Sequence, residues 1–201
     1  MTLAETINLN VSTPIRDELA DFLRQAAAGD TEAFDKVMIQ TQKRVMAMTW
    51  RMLGNEADAR DATQEVFLRV YKYLGRYDHK QDFHGWLYGI TVNACRDLAK
   101  KRTSHTTIES ADQIHDKQAT AEQTSIEAQQ REMVRQALAS LPEKERAAVV
   151  LRDLEGFSTE EAARILRSSP TTVRSQICTA RRKIKIYCER FMKNGRTGGM
   201  R

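Results

Sequence analysis

Residues 170–201 carry nine Lys or Arg and a single acidic residue, Glu189. Cations at that density suit a polyanion rather than bond making. Within the stretch stand Thr171, Thr172, Arg174, Ser175, Gln176 and Thr179, followed by Arg181, Arg182 and Lys183. Arg offers a fork of donors matched to guanine and Gln a donor–acceptor pair matched to adenine. Hydroxyls reach bases or phosphates, and cations late on such a helix suit phosphates. A second cluster is Asp61, Gln64 and Glu65, one helical turn apart, with Asp58 extending the same acidic edge. Taken alone, it reads as solvated helix charge, with Glu65 paired to Arg69 at i+4. A third is Asn93, Arg96 and Lys100, at steps of three and four, with Lys101 beside them and Trp86 nearby. Cations for phosphates and an amide for a base edge suit a single strand.

Bond-making constellations are missing from the pattern. His79, His84, His105 and His115 have no ligand-type partner at i+4 on an expected helix, and Cys95, Cys178 and Cys188 are too widely spaced for a zinc or disulfide framework. The expectation is a non-enzyme with no metal, no cofactor and no small-molecule substrate. The thiols fit a reduced, cytoplasmic setting. The longest apolar stretch without a charged residue, Phe83–Cys95, is 13 residues, too short to span a bilayer. The first ten residues lack the basic and apolar regions of a signal peptide.

The elements that must position these residues read as helices. The chain has 201 residues, 41% hydrophobic, with only 9 Gly and 3 Pro. That is poor material for tightly turned sheets, and an all-α fold is expected. Residues 16–28, 31–53, 56–74 and 83–102 each show helical spacing. Their expected inward positions include Leu19, Phe34, Val45, Ala59, Val66, Val70, Tyr73, Trp86, Leu87 and Ile90. Gly29-Asp30 and Gly54-Asn55 separate them as stops followed by caps. Residues 105–127 hold five acidic residues and one Lys, with no aromatics and no apolar period. This predicts a flexible acidic linker between two small helical domains.

The expected layout is a disordered N-terminus at 1–14, a first domain at 15–104, the linker at 105–127, a second domain at 128–190 and a basic flexible tail at 191–201. In the second domain Ser140–Glu143 and Ser158–Glu161 fit capping boxes. Arg167-Ser168-Ser169 is a tight turn, with Ser169 as cap and Pro170 as the first helical residue. Val173, Ile177, Ala180 and Ile184 then face inward, leaving the basic residues outward. A short helix, a tight turn and a basic second helix make a helix-turn-helix, whose second helix enters the major groove of duplex DNA.

The stretch SLPEKERAAVVLRDLEGFSTEEAARILRSSPTTVRSQICTARRKIK resembles the promoter-binding C-terminal domain of bacterial sigma factors. GDTEAFDKVMIQTQKRVMAMTWRMLGNEADARDATQEVFLRVYKYLGRY followed by FHGWLYGITVNACRDLAKKR is similar to their conserved N-terminal domain. The two-domain layout resembles the extracytoplasmic-function subgroup. The resemblance implies that Asp61, Gln64 and Glu65 bind core RNA polymerase. It implies that Tyr77, Asn93, Arg96, Lys100 and Lys101 take the −10 element as a single strand, around a flipped base. It assigns Thr171, Thr172, Arg174, Ser175, Gln176, Thr179, Arg181, Arg182 and Lys183 to the −35 duplex. It also implies an anti-sigma partner and no insertion into a membrane. Thr171 stands where the family usually has Gly, Gln176 and Thr179 where Arg is common, and Cys178 where a bulkier residue is frequent, so the two lost cations are expected to weaken phosphate contact or to change which −35 bases are read; Gly89, in the 83–102 segment, also stands where Arg is usual. The acidic linker is expected to let the domains span a promoter and to hold free protein off DNA. The competing reading is a stand-alone helix-turn-helix regulator acting on duplex DNA.

Overall fold

The computed structural model describes residues 14–106 and 126–197. Those residues form eight α-helices. In the first half they are α1 (Pro14–Ala27), α2 (Thr31–Leu53), α3 (Glu56–Tyr73) and α4 (Phe83–Thr106), with a 3₁₀ turn at Leu74–Arg76. The second half holds α5 (Ile126–Ala139), α6 (Glu143–Val149), α7 (Thr159–Leu166) and α8 (Pro170–Thr197), with a wider π turn at Val150–Leu154 continuing α6. No strand occurs among the described residues. The expected linker at 105–127 lies outside them apart from its two ends, which are the last turn of α4 and the first of α5. The expected disordered N-terminus likewise lies outside, save for Pro14.

Local chemistry sets most boundaries. The Asp30 carboxylate accepts from the Ala33 N–H at 3.1 Å and opens α2. Gly54, at φ 78°, closes it by donating its N–H to Trp50, a left-handed conformation glycine takes without a Cβ clash. Asn55 accepts from the Asp58 N–H at 2.8 Å and starts α3. At α7 the Ser158 hydroxyl accepts from the Glu161 N–H while Glu161 accepts from the Ser158 N–H, a complete capping box. The Ser158 hydroxyl and N–H together hold the Glu161 carboxyl below its usual range. That contribution is present above the unfolded value of about pH 4.3 and is lost as pH falls through the lowered folded value. Ser158→Ala is expected to cost roughly 1 kcal/mol, read as a lower urea midpoint at neutral pH.

Three expectations need correction. Ser140 does not cap α6: its hydroxyl donates back to the Ala137 carbonyl at 2.7 Å, finishing α5, and Pro142 precedes α6 without a side-chain cap. Glu143, the other half of that expected box, is bound instead by Arg96 of α4. Tyr73 is 39% exposed, and Leu74 fills the core in its place, because it continues the steps of four from Val66 and Val70 and still donates its N–H to the Val70 carbonyl. The helix α8 continues to Thr197, into the stretch expected as a tail.

Two apolar clusters hold the helices. One lies within the first half and includes Leu19, Leu23, Phe34, Val37, Val45, Val66, Val70, Phe83 and Leu87. The other joins the halves. It combines Met48, Met52, Ala62, Tyr88, Val92 and Cys95 with Leu138, Leu141, Val150, Leu151, Ala162, Ala163, Val173 and Ile177. Helix α4 therefore buries two faces. Trp86, Ile90 and Leu98 are half-buried, while Tyr88, Val92 and Cys95 pack toward the second half.

Candidate nucleic-acid interface

The turn before α8 is fixed at both ends. Arg167 takes the left-handed conformation, at φ 50°, closing α7, and Ser169 accepts from the Thr172 N–H at 3.1 Å. Val173, Ile177 and Ala180 are buried on one side of α8. That phase leaves Thr171, Thr172, Arg174, Ser175, Arg181, Arg182 and Lys183 exposed, with Gln176 and Thr179 half-buried. Several cations are held by acidic neighbours. Arg181 grips Asp153 with two bonds of 2.8 and 2.5 Å, and Lys183 reaches Glu145 at 2.9 Å. Arg174 sits 3.8 Å from Glu160. The Asp153 hydrogen bonds raise the Arg181 pKa further. Arg181 and Arg174 remain more than half exposed, so such pairs are weak and exchange readily for phosphate.

On α4, Asn93, Lys100 and Lys101 are exposed. Arg96 is tied to Glu143 through Nε and Nη2 at 2.9 and 2.8 Å. Tyr77 is placed differently from them. It is 8% exposed, donates its hydroxyl to the Gln81 carbonyl, and packs against Phe83 and Trp86 with ring centroids 5.7 and 5.0 Å away. Burial raises its phenol pKa, with Asp82 and Asp78 adding to the effect. Ten residues of helix separate Phe83 from Asn93, roughly 15 Å along the axis. Tyr77 and Asn93 thus sit at different levels of α4.

The acidic edge of α3 is open. Asp61, Gln64 and Glu65 are exposed. Glu65 receives Arg69 Nε at 2.6 Å, and Arg69 also reaches Asp97 at 2.9 Å. Asp58 is half-buried and taken up by Asn55 and Arg102. Leu68 and Tyr71, on the same helix, are 67% and 59% exposed. Sequence reasoning passed over both. Their signal is phase: neither falls in step with Ala59, Ala62, Val66 and Val70.

No group of three or more His, Cys, Asp or Glu among the described residues could hold a metal ion. No described helix is long and apolar enough to cross a membrane. Cys95 is buried, and desolvation pushes its thiol up to about 12, so it stays protonated and inert.

The structure brings together two sets of residues that the sequence placed in different domains. A cavity of about 370 Å³ between the halves is lined by Arg96 and Lys100 of α4 and by Thr172 and Gln176 of α8, with Glu143 at its wall.

With this geometry in place, the likenesses to known proteins are consistent. Residues 38–105 match the family model described as sigma-70 region 2, and residues 131–184 the one described as sigma-70, region 4. The chain is 35% identical over 167 residues to the ECF RNA polymerase sigma factor SigE of Mycolicibacterium smegmatis, across 80% of this chain and 65% of that protein, just under two thirds of its length. It is 32% identical over 169 residues to the RNA polymerase sigma-H factor of Pseudomonas aeruginosa, across 78% of this chain and 86% of that protein. Among solved structures, CnrH in complex with the cytosolic domain of CnrY superposes with a TM-score of 0.64 at 25% identity, across 86% of this chain and 98% of that one.

Proposed function

Because this chain belongs to the sigma-70 family of RNA polymerase sigma factors, we propose that it is an extracytoplasmic-function initiation factor that directs core polymerase to promoters and promotes strand opening. The observation that carries this reading is the capped helix-turn-helix with its outward basic face on α8, joined in one chain to a region-2 module.

In this reading the first turns of α8 enter the major groove at the −35 element. Thr171, Thr172, Arg174, Ser175 and Gln176 meet base edges, and Thr179, Arg181, Arg182 and Lys183 meet the backbone. Arg181 gives up Asp153, and Lys183 gives up Glu145, in exchange for phosphates. The exposed edge of α3, Asp61, Gln64 and Glu65, docks on basic helices of core polymerase. Asn93, Arg96, Lys100 and Lys101 track the unpaired −10 strand. Tyr77 and the adjacent aromatic cluster form the wall of the base pocket, and flipping the base costs a few kcal/mol that the pocket must offset. The chain works in the cytoplasm, where polymerase and DNA are, and carries no catalysis of its own. A solved relative is held by another protein's cytosolic domain, and an anti-sigma partner is proposed for this chain on the same pattern.

The test is reconstitution with core polymerase and a pool of promoter-like fragments, read by permanganate reactivity of unpaired thymines and by transcripts. Melting that requires polymerase is expected. Arg174→Ala is expected to lower promoter complex formation by about 10- to 100-fold, equivalent to roughly 1–3 kcal/mol, and to relax the selected −35 sequence. Tight duplex binding that polymerase neither alters nor converts into melting would sink the proposal in favour of a stand-alone regulator.

A further inference from the structure

The turn that leads into α8 holds a residue that its own backbone geometry disfavours. Arg167 is the one non-glycine residue at positive φ among the described residues. It closes α7 with a paired set of bonds: its N–H returns to the Arg164 carbonyl at 3.2 Å, and the Ser168 N–H to the Ala163 carbonyl at 2.9 Å. Helices that end this way use glycine most often at the left-handed position, because an L side chain there brings its Cβ too close to the backbone. The Arg167 side chain gives the fold no compensating contact. It is exposed, and its guanidinium makes no hydrogen bond or ion pair among the described residues.

Lys144 is a second cation set against its local surroundings. It stands in the first turn of α6, between Glu143 and Glu145, where the positive end of the helix dipole disfavours it. Its side chain is exposed as well. Packing gathers the two. Both line the cavity of about 370 Å³, on a wall that continues through Ser168 to Thr172 and Gln176, which are assigned above to the −35 duplex. The carboxylate in that lining, Glu143, is bound by Arg96 at 2.8 Å. Arg51 and Glu155, the largely buried pair at the seam between the halves, are likewise closed on each other. Neither carboxylate neutralises Arg167 or Lys144.

Resting on the functional reading above, we propose that Arg167 and Lys144 are two further phosphate contacts, which flank the reading turns of α8 and set their position in the −35 groove. Backbone strain persists where function over-determines it, and here a cation is required at the turn itself. Contacts of this kind carry no sequence information and fix register and orientation. They also differ from the cations already assigned. Arg181 and Lys183 hold Asp153 and Glu145 and must release them to take a phosphate. Arg167 and Lys144 have no such partner to release, so more of each phosphate contact is retained in the complex.

The test uses holoenzyme formed from the full chain and core polymerase, binding promoter fragments over a range of salt. Arg167→Gly is expected to weaken binding about 5- to 10-fold, by a similar factor whatever −35 sequence is offered, and to lower the slope of log affinity against log salt by about one. In the same variant the urea midpoint of the free chain is expected to rise by about 0.3 M, because the left-handed strain is relieved. A side chain that served only the fold would move affinity and stability in the same direction. Arg167→Lys is expected to keep most of the affinity at the parent's midpoint. Adding Lys144→Ala to Arg167→Gly is expected to lower the slope by about one more. Fragments without a −35 element are expected to bind parent and variants alike, and an equal loss on them would place the contacts elsewhere. An Arg167→Gly holoenzyme within about twofold of the parent and with an unchanged slope would overturn the proposal, as would an Arg167→Gly chain less stable than the parent. If the parent chain confers no promoter binding on core polymerase, the functional reading fails and these contacts fail with it. A parent that binds beside a variant that binds equally well sinks the contacts alone.

Discussion

Replacing Arg146 by methionine is expected to remove about 3 kcal/mol of stability. The Arg146 guanidinium donates to three backbone carbonyls: Met52 at the end of α2, Ala139 at the end of α5, and Leu141 in the connection to α6. The Ala139 and Leu141 contacts are 2.7 and 2.9 Å. Carbonyls at helix C-termini have no partner inside their own helix, and the negative end of the helix dipole favours a cation there. Burial lowers the Arg146 pKa, with Glu143 opposing the change. Removing a buried charge can by itself be neutral or stabilising. Here that gain is outweighed. Met52, Leu138 and Leu141 are fixed in the apolar cluster, so the three carbonyls stay where they are and lose their donor. Arg135 repeats the device one turn on, donating to the Gly54 carbonyl at 2.9 Å. In urea the midpoint should fall by about 1.5 M for a slope near 2 kcal/mol/M. Arg146→Lys, with one compact donor group, should recover only part of the loss. A Met variant within 0.5 kcal/mol of the parent would show that water replaces the guanidinium at these helix ends.

The reach of the sequence is set by how local each determinant is. The caps at Asp30, Asn55, Ser158 and Ser169 involve partners three residues away, and all were legible as residue types at a spacing. The phase of α8 was legible for the same reason. Val173, Ile177 and Ala180 recur at steps of four and three and are buried, which fixes the outward face without reference to the rest of the chain. Ser140 shows the limit even of local reading. The same residue type can cap the next helix or finish the previous one, and here the Ala137 carbonyl wins.

The seam between the halves was not legible, and α4 shows why. Its reading selected one apolar stripe that includes Trp86, Leu87 and Ile90. Tyr88, Val92 and Cys95 form a second, also at steps of four and three, and are buried against the other half. A helix apolar on most sides is buried on most sides, and the uncharged run from Phe83 to Cys95 carried that signal. The polar contacts offered none. Glu155 and Arg51 are 104 residues apart in sequence, and Glu143 and Arg96 are 47 apart. Each charge alone is indistinguishable from ordinary helix-surface charge, so the cavity that gathers Arg96, Lys100, Thr172 and Gln176 follows only from the packing. Tyr77 is a related case. Its residue type suited a base pocket, but its place inside an aromatic cluster depends on how Phe83 and Trp86 fold back on it.

Reversing the charges of Asp61 and Glu65 together, as Asp61→Lys with Glu65→Lys, is expected to weaken binding to core polymerase by about 100-fold and leave the fold intact. Both side chains are exposed on α3, where surface substitutions change stability by roughly 0.5 kcal/mol or less. The local cost is the Glu65–Arg69 pair at 2.6 Å, and an exposed i+4 pair contributes only about 0.3–0.5 kcal/mol. Arg69 keeps Asp97 at 2.9 Å, so it is not stranded. Against a basic docking surface the balance differs. Each reversal turns an attraction into a repulsion, a swing of about 1.4 kcal/mol at 6 Å in a surface dielectric near 80. Two such swings amount to about 3 kcal/mol, or roughly two decades of affinity. Salt separates this mechanism from unfolding. Parent binding should weaken as ionic strength rises, while the reversed variant's residual binding should improve, because screening removes repulsion as readily as attraction. The α8 surface provides the internal control. Binding of a −35 duplex without polymerase should be the same in both proteins, since Asp61 and Glu65 lie on α3 and the reading residues on α8. Polymerase affinity within threefold of the parent would remove the acidic edge from the docking surface. Binding would then be left to the exposed Leu68 and Tyr71, whose contribution salt would not touch.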